Sequence, residues 1–304
     1  PRYSDGRLLI DFLSSLLSLH FLPPYLHLGS SSPSNGVNFA VAGATAIEHE
    51  FFVRNNMSLD ITPQTLGTQL EWFDKFLEGR GCSGERLREC GEVGEDALFW
   101  VGEIGANDYA YSIGSEMTPK EIREHAVKNV AIFVKALLDR GAKYIIVQGL
   151  PLTGCLPLAM ILSPTTDRDD LNCSASVNTY SNLHNSLLQS KLQQLRSQYP
   201  AALISYADYY SAHRTIMKNP EAHGFNEPFK VCCGSGGGPY NFDPFATCAS
   251  PKAQKACSNP RKFVNWDGVH LTEAVYKNVA DMFFHQNYCR PSFSVLLSDK
   301  KNRG

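Results

Sequence analysis

The feature that most constrains the fold of this chain is an alternation of strand-like and helix-like segments. Residues 96–105 ("DALFWVGEIG"), 143–151 ("KYIIVQGLP") and 202–208 ("ALISYAD") have the apolar character of buried strands. A helical pattern follows each of them, at 118–140, 176–200 and 271–286. Such alternation predicts an α/β fold, in which a parallel sheet carries helices on both faces.

The rest of the chain is predicted to belong to the same domain, which we place over residues 1–304. Residues 209–262 interrupt the alternation with many Pro, Gly and Cys, and we interpret them as a long disulfide-tied excursion. Residues 291–304 are expected to form a flexible tail. The apolar stretch at 8–26 is broken by Asp11, serines and His20, so it indicates an amphipathic helix rather than a signal peptide.

The charge balance argues against two classes of partner. With 28 basic and 30 acidic residues the formal net charge is −2, which favours neither nucleic acid nor an anionic membrane. No apolar run reaches the roughly 18 residues that a membrane span needs. We therefore expect a monomer that acts on a small-molecule or polymer substrate of no extreme charge.

Nine cysteines indicate local disulfide bonds. Cys82 and Cys90 are predicted to form one pair and Cys155 and Cys173 another, because each spacing closes a short loop. The candidates in the excursion are Cys232, Cys233, Cys248 and Cys257. Either Cys232 or Cys233 should form a disulfide with either Cys248 or Cys257. The alternative, a zinc site, is disfavoured because the sequence has no C-x-x-C pair and adjacent cysteines chelate one metal poorly.

Two glycosylation sequons accompany the cysteines, at Asn56 and Asn172. Sequons arise often by chance, but together with the cysteines they favour the secretory pathway. We therefore predict a secreted, extracellular protein.

The segments that can carry chemistry are the turns after the strands, because ligands bind beyond the carboxyl ends of parallel strands. "GEIGANDY" (102–109) ends the first strand with Gly105, Asn107 and Asp108. An Asn side-chain N–H at this place can donate a hydrogen bond to a developing oxyanion. The alternative is an Asx turn with no chemical role.

A second turn, "GVNFAVAGATA" (36–46), is small and apolar and contains Gly43. Small residues let a ligand approach the backbone, so the Gly43 N–H can face a substrate oxygen. The alternative is a tightly packed turn between two elements.

The third segment, "NWDGVHLTEAVYK" (265–277), places Asp267 and His270 three residues apart, just before a helix. A carboxylate that orients an imidazole, and an imidazole that takes a proton from a nucleophile, are two parts of an acyl-transfer site. Alone, the same spacing also fits a surface turn that caps a helix.

Taken together and in this order, these phrases resemble the GDSL esterase/lipase family of SGNH hydrolases, in particular its plant branch. "YSDGRLLIDF", "LPLTGCLP" and "VCCG" are further phrases typical of plant members, so the resemblance covers nearly the whole chain. It implies a three-layer α/β/α sandwich of flavodoxin-like type and a serine ester hydrolase that needs no cofactor. It also implies roles for four residues: oxyanion-hole donors at Gly43 and Asn107, a base at His270 and its partner at Asp267.

The nucleophile that the resemblance implies is the Ser of a Gly-Asp-Ser block, and no Gly-Asp-Ser occurs in the 304 residues. We expect that block upstream of Pro1, and we expect the 304-residue chain alone to be inactive. Ser235 in "CGSGGGP" is a poor substitute, because its glycines suit a flexible turn. Two alternatives remain: acyl transfer to an alcohol, and a non-catalytic binding protein that retains the fold.

Overall fold

The computed structural model describes residues 2–29, 33, 35–57, 62–82, 97–253 and 255–303, with side chains up to residue 299. The chain divides into two compact units. The first unit comprises Pro1–Phe21, Pro151–Ser181 and Tyr209–Tyr288. The second unit comprises Leu22–Leu150, Asn182–Asp208 and Cys289–Gly304.

A four-stranded sheet forms the centre of the second unit. Its strands are β1 (Leu98–Val101), β2 (Tyr144–Gln148), β3 (Leu203–Ala207) and β6 (Cys289–Arg290), and they lie in the order β1-β2-β3-β6. The first three are parallel, as the sequence predicts, whereas the short β6 pairs antiparallel with β3. All of β2 is buried, which explains the apolar run at 144–147.

The second unit also contains helices. They are α2 (His49–Arg54), α3 (Leu66–Glu78), α4 (Ala106–Tyr111), α5 (Pro119–Asp139) and α10 (Phe293–Arg303). The predicted capping box begins α5: the Thr118 hydroxyl accepts from the Glu121 amide, and the Glu121 carboxylate accepts from the Thr118 amide. Apolar residues of α5, fully buried at Val127 and Val130, join Ile145 of β2 in the core of this unit.

The first unit is built mainly from helices. It holds α1 (Leu9–Leu16), α6 (Pro157–Leu162), the start of α7 (Ala175–Gln198), α8 (Tyr209–Lys218) and α9 (Glu273–His285). A second, two-stranded parallel sheet consists of β4 (Glu227–Val231) and β5 (Phe263–Asn265). Val275, Val279 and Phe283 of α9 are buried at four-residue intervals, so one face of the helix packs inward. No helix in the described part of the chain has the length and apolarity to cross a membrane.

Three segments differ from their predicted structure. The helix expected over 8–26 covers only Leu9–Leu16, because Ser18 has a positive φ and prolines follow at 23–24. The excursion at 209–262 contains regular structure, α8 and β4. The tail expected over 291–304 contains α10, where Phe293 and Leu296 lie on one helical face and are buried.

Three disulfides tie the first unit. Cys155 bonds to Cys173 as predicted, and the adjacent cysteines of the excursion form two bonds, Cys232–Cys257 and Cys233–Cys248. Their Cα separations of 4.6, 4.9 and 5.2 Å suit disulfide geometry. Cys90 lies outside the described residues, and Cys82 is buried without a disulfide to any described cysteine.

Candidate active site

The turn between β5 and α9 brings Asp267 and His270 into contact in the first unit. The His270 Nδ1 atom lies 2.9 Å from Asp267 Oδ2 and 3.1 Å from Oδ1. Asp267 Oδ1 also accepts hydrogen bonds from the backbone amides of Val269 and His270, at 2.8 and 2.7 Å. The backbone of the turn therefore fixes the carboxylate, and the carboxylate fixes the imidazole.

Electrostatics keeps this carboxylate ionised. Burial acts to raise the pKa of Asp267, but the His270 hydrogen bond, the charge of His270 and the two turn amides outweigh it, so the pKa lies below its ordinary value. The Asp267 side chain is 14% exposed, whereas that of His270 is 33% exposed. The acid is thus shielded, while the ring is accessible to a substrate. If the neutral ring donates its Nδ1–H to the ionised carboxylate, its basic lone pair lies on Nε2.

The local sequence explains why the chain turns here. The Trp266 amide donates to the His270 carbonyl at 2.8 Å, and the Leu158 amide donates to the Gly268 carbonyl at 3.0 Å. A Cβ at Gly268 would lie 2.1 Å from the ring of Phe242. Only glycine fits this close approach, which accounts for the "DG" of the motif.

Two of the predicted turns meet in the second unit. The Asn107 side-chain amide donates to the Ala44 carbonyl at 2.9 Å, and the Tyr111 hydroxyl donates to the Gly43 carbonyl at 2.8 Å. Gly43 and Asn107, predicted separately from the sequence, therefore belong to one cluster. This bond uses one N–H of the Asn107 amide, which has two.

Asp108 connects the same two turns through the hydrogen bonds of its side chain. Its fully buried carboxylate accepts from the Ala46 amide at 3.0 Å and from the Ile47 amide at 2.8 Å. A buried carboxylate that satisfies two backbone donors joins α4 to the Gly43 turn. The sequence identified Asp108 as a neighbour of Asn107, but not this connecting role.

Gly105 precedes α4 in a left-handed conformation, with φ of 118°. A Cβ there would lie 2.7 Å from Cε1 of His184, so the ring of His184 packs directly against this glycine. The Tyr109 hydroxyl lies 3.2 Å from Nδ1 of the same ring. Burial, with a contribution from Arg123, lowers the pKa of His184 to about 3, so this histidine stays neutral and supports the turn. Sequence reasoning missed it, because a lone His in a long helix gives no signal.

The hydroxyl of Ser235 is engaged elsewhere. It donates to the Ala246 carbonyl at 3.0 Å. Among the described residues no histidine hydrogen-bonds this serine. The glycosylation candidate Asn172 is exposed, whereas the sequon of Asn56 extends to Ser58, which lies outside the described residues.

Comparisons with known proteins point in one direction. The model of the GDSL-like Lipase/Acylhydrolase family matches residues 1–283. GDSL esterase/lipase At3g48460 of Arabidopsis thaliana is 51% identical over 99% of this chain and 79% of its own length. Acetylajmalan esterase 2 of Rauvolfia serpentina is 40% identical over 91% of this chain and 76% of its own length. Acetylajmalan esterase 1 of Rauvolfia serpentina is 41% identical over 92% of this chain and 73% of its own length.

The family match spans most of the chain, and the first of these relatives is 51% identical over 99% of this chain. The α/β architecture with a mostly parallel sheet agrees with it. The chain belongs to the GDSL lipase/acylhydrolase family and is a carboxylic ester hydrolase of the GDSL type.

Proposed function

We propose that the protein hydrolyses carboxylic esters through a serine nucleophile, with His270 as general base and Asp267 as the residue that orients it. The observation that carries this proposal is the 2.9 Å contact between His270 Nδ1 and the shielded Asp267 carboxylate, beside a partly exposed ring. Gly43 and Asn107 supply the oxyanion donors in the same reaction. No cofactor takes part.

The reaction proceeds in two halves. The serine oxygen attacks the ester carbonyl while its proton passes to His270 Nε2, and the resulting imidazolium then protonates the leaving alcohol. Water repeats the attack on the acyl-enzyme, gives its proton to the same nitrogen, and releases the acid and the free serine. Asp267, ionised because its pKa is low, stabilises the imidazolium in both halves.

The oxyanion is the charge that develops on the carbonyl oxygen. Of the described residues, none hydrogen-bonds the Gly43 amide, and one Asn107 N–H remains after the bond to Ala44. Backbone and amide donors held in place before the reaction stabilise such a charge strongly. The bonds of Tyr111 and Asp108 hold the two donors of this cluster in place.

For the substrate we propose an ester of a small acyl group with a plant metabolite. This rests on the names of the acetylajmalan esterases, which are about two-fifths identical to this chain. Acylated sugars, wall polymers and lipids are the competing classes. Rates on para-nitrophenyl acetate, butyrate and palmitate separate short from long acyl groups. A preference for palmitate would contradict the proposal.

The nucleophile is identified by covalent labelling. The complete translation product of the gene is treated with a fluorophosphonate, which phosphonylates activated serines, and the labelled peptide is located by mass spectrometry. We expect one labelled serine within a Gly-Asp-Ser sequence, and we expect His270→Ala to abolish the label. The 304 residues, which contain no such sequence, should take up no label when expressed alone. A label at Ser235, or one that persists in His270→Ala, would contradict the assignment.

Two alternative functions give other outcomes. An acyltransferase would also be labelled, but addition of an acceptor alcohol would yield a new ester in place of free acid. A non-catalytic binding protein would take up no label and show no turnover. The product of a reaction with a mixed alcohol–water solvent distinguishes all three.

We also propose that the protein passes through the secretory pathway as a monomer. Three disulfides in the first unit and an exposed Asn172 support this, because disulfides persist in oxidising compartments. Protein isolated from plant tissue should lose mass on treatment with a peptide N-glycosidase, and Asn172→Gln should remove part of that loss. An unchanged mass together with free thiols would contradict secretion.

A further inference from the structure

Residues 3–7, which we name the N-terminal clasp, contact the catalytic turn and the start of α9 at successive points. The Tyr3 ring lies 4.9 Å from the His270 ring, centroid to centroid, at a tilt of 32°. The Ser4 hydroxyl donates to the Leu271 carbonyl at 3.0 Å. Successive residues of the N-terminal clasp therefore contact successive residues of the segment that carries His270.

Asp5 caps the N-terminus of α9, because the N-cap residue of that helix does not. Thr272 stands at the N-cap, but its hydroxyl donates to the Phe263 carbonyl at 2.7 Å and caps nothing. The Glu273 amide at the first helical position donates instead to Asp5 Oδ1, at 2.8 Å. A carboxylate at this end of a helix satisfies an orphan donor and matches the helix dipole. The bond ties the start of α9 to a residue from the opposite end of the chain.

Arg7 and Gly6 complete the clasp at Glu273. The Arg7 amide donates to Glu273 Oε2 at 2.7 Å, and its guanidinium donates to Oε1 at 2.9 and 3.2 Å. A Cβ at Gly6 would lie 1.8 Å from Glu273 Oε2, so the carboxylate occupies the space that a side chain would take. Glu273 is therefore held by both the backbone and the side chain of the clasp.

The Tyr3 ring adds an interaction with His270 itself. Contact with the tilted Tyr3 ring restricts rotation of the imidazole, so that Nδ1 remains on Asp267. An aromatic face within about 6 Å also stabilises a cation. The imidazolium that forms during ester hydrolysis is such a cation, whereas the resting imidazole is not.

We infer that the N-terminal clasp positions His270, with Tyr3 acting on the ring and Asp5 on the helix that follows it. The inference rests on the proposed function, in which His270 is the base. Tyr3 is a positioning residue, because its effect reaches the substrate only through His270.

Kinetics on the complete translation product test the role of Tyr3. Tyr3→Ala should lower kcat for para-nitrophenyl acetate about two- to fivefold, the factor expected of an exposed cation–π contact, and leave KM nearly unchanged. Tyr3→Phe keeps the aromatic face and should recover the wild-type kcat. Tyr3→Leu keeps an apolar side chain without that face and should resemble Tyr3→Ala. Phe245→Ala, at a 97% exposed aromatic residue of the same unit, is the matched control.

A spectroscopic measurement makes the test independent of turnover. In protein labelled with ¹⁵N-histidine, the His270 Nδ1–H signal is assigned by its loss in His270→Gln. The bond to Asp267 protects this proton, and in Tyr3→Ala and Asp5→Ala its signal should broaden through faster exchange with solvent. Tyr3→Phe and Phe245→Ala should leave it sharp.

Each outcome decides one of the two proposals. If wild-type protein turns over no ester, the proposed function fails and the Nδ1–H signal alone decides the positioning role. If Tyr3→Ala does not fold, the contrast between Tyr3→Phe and Tyr3→Leu decides it. Wild-type kcat and a sharp Nδ1–H signal in the variants that lack the aromatic face would overturn the inference.

Discussion

At the scale of single residues, Gly43 combines a left-handed backbone with close neighbours on the side where a side chain would lie. Its φ is 83°, in the left-handed region that L residues avoid. A Cβ would lie 2.3 Å from Thr62 Oγ1 and 2.8 Å from the Tyr111 hydroxyl. The same hydroxyl donates to the Gly43 carbonyl, so a side chain here would displace the group that fixes the turn.

Gly43→Ala is therefore expected to reduce both activity and stability. Gly114 is the matched control, since its φ is 81° but no atom lies within 4 Å of an added Cβ. Gly114→Ala should cost only the left-handed backbone penalty of about 1–2 kcal/mol in the free energy of unfolding. Gly43→Ala should cost more and lower kcat, because the displaced turn carries a proposed oxyanion donor. Urea unfolding and ester kinetics measure the two effects, and equal losses in both variants would contradict the steric argument.

At the same scale, the sequence predicts a contact between two residues well when they are close along the chain. Asp267 and His270 are three positions apart, and their contact follows from the motif. Tyr3 and Tyr111 gave no such signal, because their contacts with His270 and Gly43 join distant parts of the chain. An aromatic residue in a polar segment is compatible with many environments, and only the fold selects one.

At the scale of elements, the short helix α4 is joined to the Gly43 turn by Asp108. The contacts of Asp108 with Ala46 and Ile47 span 62 and 61 positions. With six residues, α4 is too short to be stable alone, so its place depends on such tertiary bonds. Asn107, a proposed oxyanion donor, lies on this helix.

Asp108→Asn is expected to lower the free energy of unfolding by about 1.5–3 kcal/mol. The amide keeps one acceptor oxygen, but its NH₂ group would face a backbone donor in a site without solvent. Asp243, whose carboxylate accepts the Phe245 amide at 2.8 Å in an exposed turn, provides the control. Asp243→Asn should change stability by less than about 0.5 kcal/mol. Denaturant titration compares the two variants, and similar midpoints would refute the role given to Asp108.

The sequence predicts elements with a clear local pattern better than elements without one. Helices α5, α7 and α9 are long enough for a helical period, and strands β1, β2 and β3 are mainly apolar runs. The two residues of β6 and the Pro-containing β4 have no such period, and their pairing depends on neighbours far along the chain. The pairing of the adjacent cysteines was left open for the same reason, since both connectivities close loops of similar length.

At the scale of the whole molecule, each unit buries one neutral histidine. His184 lies in the second unit, and burial with Arg123 lowers its pKa to about 3. His213 lies on α8 in the first unit, where burial lowers its pKa to about 4 and neither ring nitrogen has a hydrogen-bond partner among the described residues. Both pKa values are below the ordinary value of 6.5, which the unfolded chain should show.

The free energy of unfolding should therefore fall as pH drops below 6.5. Between that pH and the folded pKa values, the unfolded chain binds protons that the folded chain does not, so stability decreases by about 1.4 kcal/mol per pH unit for each histidine. The loss from His213 should be complete near pH 4, and the loss from His184 near pH 3. At lower pH, protonation of carboxylates such as Asp267, whose ordinary pKa is 3.8, decreases the free energy of unfolding further.

His213→Leu tests this linkage in the first unit. The variant should show a shallower loss of stability between pH 6.5 and 4 than wild type in urea titrations. His285→Leu, at an exposed histidine of α9, should keep the wild-type slope. Parallel profiles for wild type and His213→Leu would mean that this histidine does not stay neutral in the folded protein.

The measurement that tests the central claim most directly is the kcat/KM of the complete translation product for para-nitrophenyl acetate, in wild type and in His270→Ala. His20→Ala, at an exposed histidine, is the control for general effects of the substitution. If His270 is the base of a serine esterase, His270→Ala should lose on the order of a thousandfold or more, while His20→Ala should match wild type. Retention of wild-type kcat/KM by a folded His270→Ala protein would contradict the account.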